Sequence, residues 1–273
     1  MSHAGNRIDL DRYFARIGYA GGTQPTPQTL ADLHLAHVRH IPFENLDVLL
    51  GRPIRLDTDS LFAKLVTAGR GGYCFEQNHL FAAVLEQLGF AVQRLAARVV
   101  WRTQRVLPRT HMLLRVEAGG RAWLADVGFG GMGPLLPLAF EPDIAQPQFG
   151  WRYRVIEQDG TWRLQAGADA GAWESLYEFI LQTQAPADYG MANYYVSTHP
   201  DSRFVQGLVA HRLAPERRLI LIGSELTEDR GAEASTRRIT NRDELAAVLV
   251  DGIGLPPADV AALIDTLAVR GQA

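Results

Sequence analysis

The chain has 273 residues, which allows one large domain or two to three small ones. Its 47% hydrophobic and 21% charged residues are those of a globular protein, and a net charge of −3 leaves no strong electrostatic case for nucleic acid. A single cysteine excludes an internal disulfide and any thiolate-rich zinc site. Met1 to Gly22 shows no signal-peptide pattern and no run approaches the roughly 18 apolar residues of a membrane span, so the expected location is the cytoplasm.

Residues 1–89 read as helical. Asp9 to Ile17 is a short helix. Thr26 and Pro27 start a second, which Pro42 ends. Its His34, His37 and His40 recur every three residues but lack flanking ligands, so no metal is expected. Asp59 or Ser60 opens a third helix, ended by Gly69. On it Lys64, the only lysine, is expected to be solvated. From about residue 91 the period changes to two. Ala91 to Trp101 reads as a strand, and His111 to Glu117 joins Arg121 to Val127 through Gly119-Gly120 as a hairpin. Tyr153 to Gln158 and Thr161 to Gln165 form a second hairpin around Asp159-Gly160. Short strands with tight turns suggest a small antiparallel barrel or sandwich, and 129–150 reads as a loop. Residues 186–202 read as a connector with a short helix. Phe204 to Leu213, Arg217 to Ile222 and Ser235 to Thr240 read as strands, Asn241 to Val250 as a helix with a capping box, and Pro257 to Arg270 as the last helix.

The chemistry concentrates at Arg70-Gly71-Gly72-Tyr73-Cys74-Phe75-Glu76-Gln77-Asn78. Phe75, Leu80, Phe81, Val84, Leu85 and Leu88 recur at helical spacing, so Cys74 stands at or near a helix N-terminus, reached through glycines read as supplying a flexible turn. The positive end of a helix dipole favours a thiolate, hence a nucleophile. The first hairpin supplies a partner. With Gly119 and Gly120 as turn residues, His111 faces Gly128 and Asp126 faces Leu113, all on one face. Asp126 is then a diagonal neighbour of His111, about 7–8 Å away between backbones and within side-chain reach. The pair completes the logic of nucleophile, base and orienter. Sequence spacing alone leaves open whether Cys74 reaches His111.

The segment around Cys74, together with His111, Asp126-Val127-Gly128-Phe129-Gly130-Gly131 and Pro42-Phe43-Glu44-Asn45, resembles the arylamine N-acetyltransferases. The likeness extends over most of the chain. It implies an α+β fold in three parts, with a cysteine-protease or transglutaminase-like catalytic core: a helical bundle (1–89), an antiparallel β-barrel (90–185) and, after a connector (186–202), an α/β lid (203–273). It implies Cys74 as nucleophile, His111 as base and Asp126 as orienter. It also implies acetyl-CoA as co-substrate, no metal, and arylamines, arylhydrazines or N-hydroxyarylamines as acceptors, with a role in xenobiotic metabolism. Phe43, Phe129 and Phe204 are candidates for the wall of an acceptor pocket. Thr110, Gly130 and Gly131, with Gly133, are candidates for the CoA phosphates, since no P-loop is present. Neither a nucleic acid nor a membrane is an expected partner, and a homodimer stays open. Two other readings compete: a thiol hydrolase or transglutaminase-like enzyme with the same residue order, and a non-catalytic binder of CoA or an aromatic ligand.

Overall fold

A computed structural model describes residues 7–168, 171–231 and 233–269. Asp9 caps α1 (Leu10–Ile17) by accepting from the Arg12 amide, and Thr26 caps α2 (Pro27–His40) by accepting from the Thr29 amide. Strand β1 (Phe43–Glu44) and the short α3 (Leu46–Leu49) follow. Helix α4 (Thr58–Phe62) begins earlier than Asp59, because Asp57 is the residue whose carboxylate takes the Ser60 amide; it runs on into a π-helical turn, Ala63–Thr67. Helix α5 (Cys74–Gln87) closes the helical part.

The strands are β2 (Ala91–Val99), β3 (His111–Ala118), β4 (Arg121–Ala125), β5 (Leu138–Ala139), β6 (Gln146–Gln148), β7 (Trp151–Gln158), β8 (Thr161–Ala168) and β9 (Glu174–Thr183). Among the described residues they form one antiparallel sheet in the order β5-β4-β3-β2-β9-β8-β7-β6. The hairpin pairs Leu114 with Ala125 and Ala118 with Arg121, the register that a two-residue Gly119-Gly120 turn demands. Residues 129–150, expected as a loop, hold β5 and β6, and these edge strands close the sheet into a near-barrel through side chains. The Gln146 amide both donates to the Ala139 carbonyl and accepts from its N–H, while Gln148 Oε1 accepts from the Leu135 and Leu136 amides. Two glutamines thus satisfy edge groups that would otherwise be exposed.

Helix α6 (Pro186–Thr198) fills the connector. The expected strand from Phe204 splits. Arg203–Gln206 is a helical turn, α7, and β10 (Val209–Ala214) starts only after it. The cause is tertiary: Asn45 Nδ2 donates to the Phe204 and Gly207 carbonyls and holds the turn closed. Strands β11 (Arg217–Ile222), β12 (Glu225–Asp229) and β13 (Ala234–Arg238) extend the second sheet, in the order β1-β10-β11-β12-β13; β12 was absent from the sequence reading. Helix α8 (Arg242–Ala247), a π-helical turn (Val248–Ile253) and α9 (Pro257–Val269) pack on it. The expected end of the last helix, Arg270, lies outside the described residues.

The fold is α+β in three parts, and its joints position the site. Strand β3 is buried on both faces. Met112, Leu114 and Val116 belong to the core shared with α5, whereas Leu113 belongs to the barrel interior. His111 shares the Leu113 face and so points inside the barrel, next to Phe129 and Tyr177. Strand β1 leaves the helical part to pair with β10, Phe43 opposite His211, which brings the second sheet against the same spot.

Candidate active site

Cys74 is the first residue of α5 and is 4% exposed. The two glycines before it serve close approach rather than an unusual backbone. A Cβ on Gly71 would stand 2.2 Å from the Pro42 carbonyl oxygen, and one on Gly72 would stand 2.6 Å from Glu76 Oε2. Neither has a positive φ. Glu76 Oε2 in turn accepts from the Tyr73 amide at 3.1 Å, which fixes the start of the helix. Gly128 presses on the same point from the barrel side, where a Cβ would meet Cys74 Cα at 2.7 Å and Asn78 Nδ2 at 2.8 Å.

The structure brings Cys74, His111 and Asp126 together. His111 Nε2 is 2.7 Å from Asp126 Oδ2. The Cys74 side chain lies beside His111, near enough to contribute to its raised pKa, and points its Sγ at the Thr110 carbonyl, 3.6 Å away. With Nε2 committed to the carboxylate, Nδ1 is the ring nitrogen left for the sulfur. Asp126 is 1% exposed yet fully bonded, since its Oδ1 accepts from Asn78 Nδ2 and the Gly128 amide, each at 3.0 Å. Burial alone would push His111 down. The adjacent Asp126 carboxylate, with a smaller contribution from Cys74, reverses this and raises the ring to about 10. Burial works against the Asp126 charge as well, but His111, Asn78 and the Gly128 amide hold the carboxyl below its ordinary value.

A cavity of about 220 Å³ opens over this group. Phe43, Phe129 and Phe204 all line it, together with Cys74, His111, Thr110 and Gly131. Gly130 is not on its wall. It is held at φ +79 beneath His211, where any Cβ would stand 2.6 Å from Nδ1. The Thr110 hydroxyl bonds to the Pro108 carbonyl at 3.4 Å. Gly133 turns its amide to the Gly130 carbonyl.

Several contributors escaped sequence reasoning. Asn78 lies one turn after Cys74. It donates to Asp126 and to the Met112 carbonyl and accepts from the Val127 amide, tying the nucleophile helix to the hairpin. Its position four residues from Cys74 was the available signal. His211 lines the cavity, stacked on Phe43 with ring centroids 5.2 Å apart; nothing in the local sequence marks it. The α2 histidines are braces. His34 Nε2 accepts from the Asp126 amide while Nδ1 donates to the Leu135 carbonyl, and His37 bridges Tyr13 and Gln77. No cluster of metal-binding side chains occurs among the described residues. Lys64, expected to be solvated, instead ion-pairs with Asp47 and Glu76, each at 2.7 Å.

A family model described as N-acetyltransferase matches residues 26–259. The arylamine N-acetyltransferase of Mycobacterium tuberculosis is 42% identical over 259 residues, which are 93% of this chain and 91% of that protein. The chain belongs to the arylamine N-acetyltransferase family. It is accordingly an acyltransferase. The solved structure of the Mycobacterium tuberculosis arylamine N-acetyltransferase superposes with a TM-score of 0.91 at 41% identity, covering 95% of this chain and 99% of that one. The Mycobacterium marinum arylamine N-acetyltransferase, solved in complex with CoA, superposes at 0.89 with 38% identity, covering 95% and 98%. Among the described residues no helix is long and apolar enough to cross a membrane.

Proposed function

We propose that this chain transfers an acetyl group from acetyl-CoA to the nitrogen of an arylamine, arylhydrazine or N-hydroxyarylamine through an acetyl-Cys74 intermediate, in the cytoplasm. The observation that carries the reading is a helix-start cysteine beside a buried His111–Asp126 pair at the base of an apolar, phenylalanine-lined cavity. A ring raised to about 10 is protonated at neutral pH, and its positive charge stands beside the attacking sulfur. The thiolate attacks the thioester carbonyl carbon. The C–S bond to CoA breaks, and the departing CoA sulfur takes the His111 proton. His111 is left neutral beside an uncharged thioester, with a ring nitrogen free to accept a proton. The acceptor nitrogen attacks the acetyl carbon, His111 takes its proton, and the Cys74 sulfur leaves as the thiolate. The pair is restored.

Asp126 keeps Nε2 occupied and the ring oriented throughout; Asn78 and the Gly128 amide hold Asp126. Phe43, Phe129 and Phe204 supply flat apolar surface for an aromatic acceptor and keep water from the thioester. Thr110 and Gly131, at the cavity wall, are our candidates for contacts to CoA. In this scheme the helical part (1–89) carries the nucleophile, the barrel (90–185) carries base and orienter, and the lid (203–273), joined by 186–202, covers the cavity. The test is intact mass after mixing the protein with acetyl-CoA. One acetyl unit should appear, be absent from Cys74→Ser, and be discharged by an aromatic amine with formation of the N-acetyl product. Failure to acylate, or discharge to water alone, sinks the proposal.

A further inference from the structure

A second cavity, of about 240 Å³, lies between the end of α2, the β10–β11 hairpin and the π-helical turn after α8. It shares no lining residue with the catalytic cavity. Three guanidiniums line it: Arg39 from α2, Arg212 from β10 and Arg217 from β11. Arg212 Nη1 donates to the Ile253 carbonyl, and Arg39 and Arg217 form no ion pair or side-chain hydrogen bond among the described residues. Burial and then the charges of Arg39 and Arg217 push Arg212 below its ordinary value, so like charges gather here. Arg16, tied to four backbone carbonyls of the helical part, is near enough to feel Arg212 as well. Glu216 and Asp251 also line the cleft, but neither forms an ion pair with the arginines.

Arg212 is half-buried while Arg39 and Arg217 are exposed, so water screens part of their mutual repulsion, and an anion bound among the three would relieve the rest. Each offers a planar fork of donors that fits two oxygens of a tetrahedral oxyanion at once. We infer that this cleft is a binding site for a phosphate-type oxyanion, free or as a small phosphomonoester, distinct from the catalytic cavity. Occupancy joins the end of α2 to β10 and the π-helical turn. Arg212 is the residue after His211 on β10, so the two side chains leave the strand on opposite faces, one into each cavity. The site therefore borders the strand that lines the catalytic cavity without contributing to the chemistry there.

The test is thermal unfolding of the full chain titrated with inorganic phosphate, with chloride matching the ionic strength. The expected result is a rise in Tm of about 2–6 °C at saturation, since a ligand held only by the folded state stabilises by mass action. The double variant Arg39→Gln/Arg217→Gln removes two exposed, unpaired charges and should fold and transfer acetyl groups at the wild-type rate, but lose most of that rise. A general salt effect would raise both proteins equally. An equal rise in the variant, or no rise in the wild type, overturns the proposal. Calorimetric titration with phosphate gives a second readout: one site in the wild type, its heat lost in the variant. Glycerol 3-phosphate then separates the two sources. A midpoint equal to that of phosphate means the oxyanion alone is read, and a lower one means the cleft also takes the organic group. Absence of binding by both probes refutes the site.

Discussion

Two buried ionic clusters flank the start of α5, and they do different work. On one side stand Cys74, His111, Asp126 and Asn78. On the other, Arg70 is bonded to Glu44, Asp47 and Asp259, and Lys64 to Asp47 and Glu76. In both, burial and neighbouring charge move pKa values from their ordinary range: His111 and Asp126 in the first, Asp47, Lys64, Arg70 and Glu76 in the second. The first has a cavity over it and a ring raised to about 10 beside a sulfur; the second has every charge committed to another side chain, and the catalytic cavity is lined by none of its residues. Charge in the core is chemistry only where one partner is left facing space. The residues of the second cluster nevertheless belong to the same motifs as the nucleophile. Arg70 and Glu76 bracket Cys74, and Glu44 follows Phe43 of the cavity wall. Their task is to hold the loop from Pro42 to Leu46 against the start of the helix.

Substitutions can break this comparison. Cys74→Ser should abolish acetyl transfer, by about 10⁴-fold or more in kcat/KM, with stability changed by no more than about 1 kcal/mol; a steady-state assay beside a urea titration reads both. Asp126→Asn should lower transfer at neutral pH by about 10²–10⁴-fold, because burial then dominates and the ring is neutral in the resting enzyme. The pH profile sharpens this point. The folded-state pKa of His111 lies above its unfolded value, so while Asp126 is ionised the contribution of the pair is complete below about 6.5 and is lost as pH rises through about 10. The alkaline limb of acylation should stand there in the wild type and move below neutrality in the Asp126→Asn variant. A limb that stays in place removes Asp126 as the cause.

The second cluster should answer in stability instead. Arg70→Met leaves Glu44, 0% exposed, without its cation and should cost about 3–5 kcal/mol, with transfer per folded molecule retained at low temperature. Acid should act on a third set of groups. His34 and His79 are lowered to about 4 and His37 and His211 to about 3, each chiefly by burial. The unfolded chain then takes up protons first. Stability is whole above about pH 6.5 and falls as pH drops toward 4, visible as a lower urea midpoint at pH 5 than at pH 7. Arg52→Ala, at the half-exposed rim of the second cluster, should change stability by only about 0–1 kcal/mol.

What the sequence determined by itself was local. A two-residue Gly-Gly turn sets the register of β3 and β4, and alternation of side chains then sets which residues share the face of His111. Helical spacing after Cys74 places it at the start of α5 and puts Asn78 one turn behind it. Those are short-range consequences of backbone geometry, and they need no knowledge of the rest of the chain. Only the tertiary structure decided that Lys64 is an ion-pair centre, that Asn45 turns Arg203–Gln206 into a helix, that Gln146 and Gln148 close the barrel, and that His211 stands over Phe43. Each depends on a contact between residues that are remote along the chain or on elements the local pattern does not pair, and hydrophobic periodicity carries no record of which polar side chain a buried charge or an open backbone group will meet.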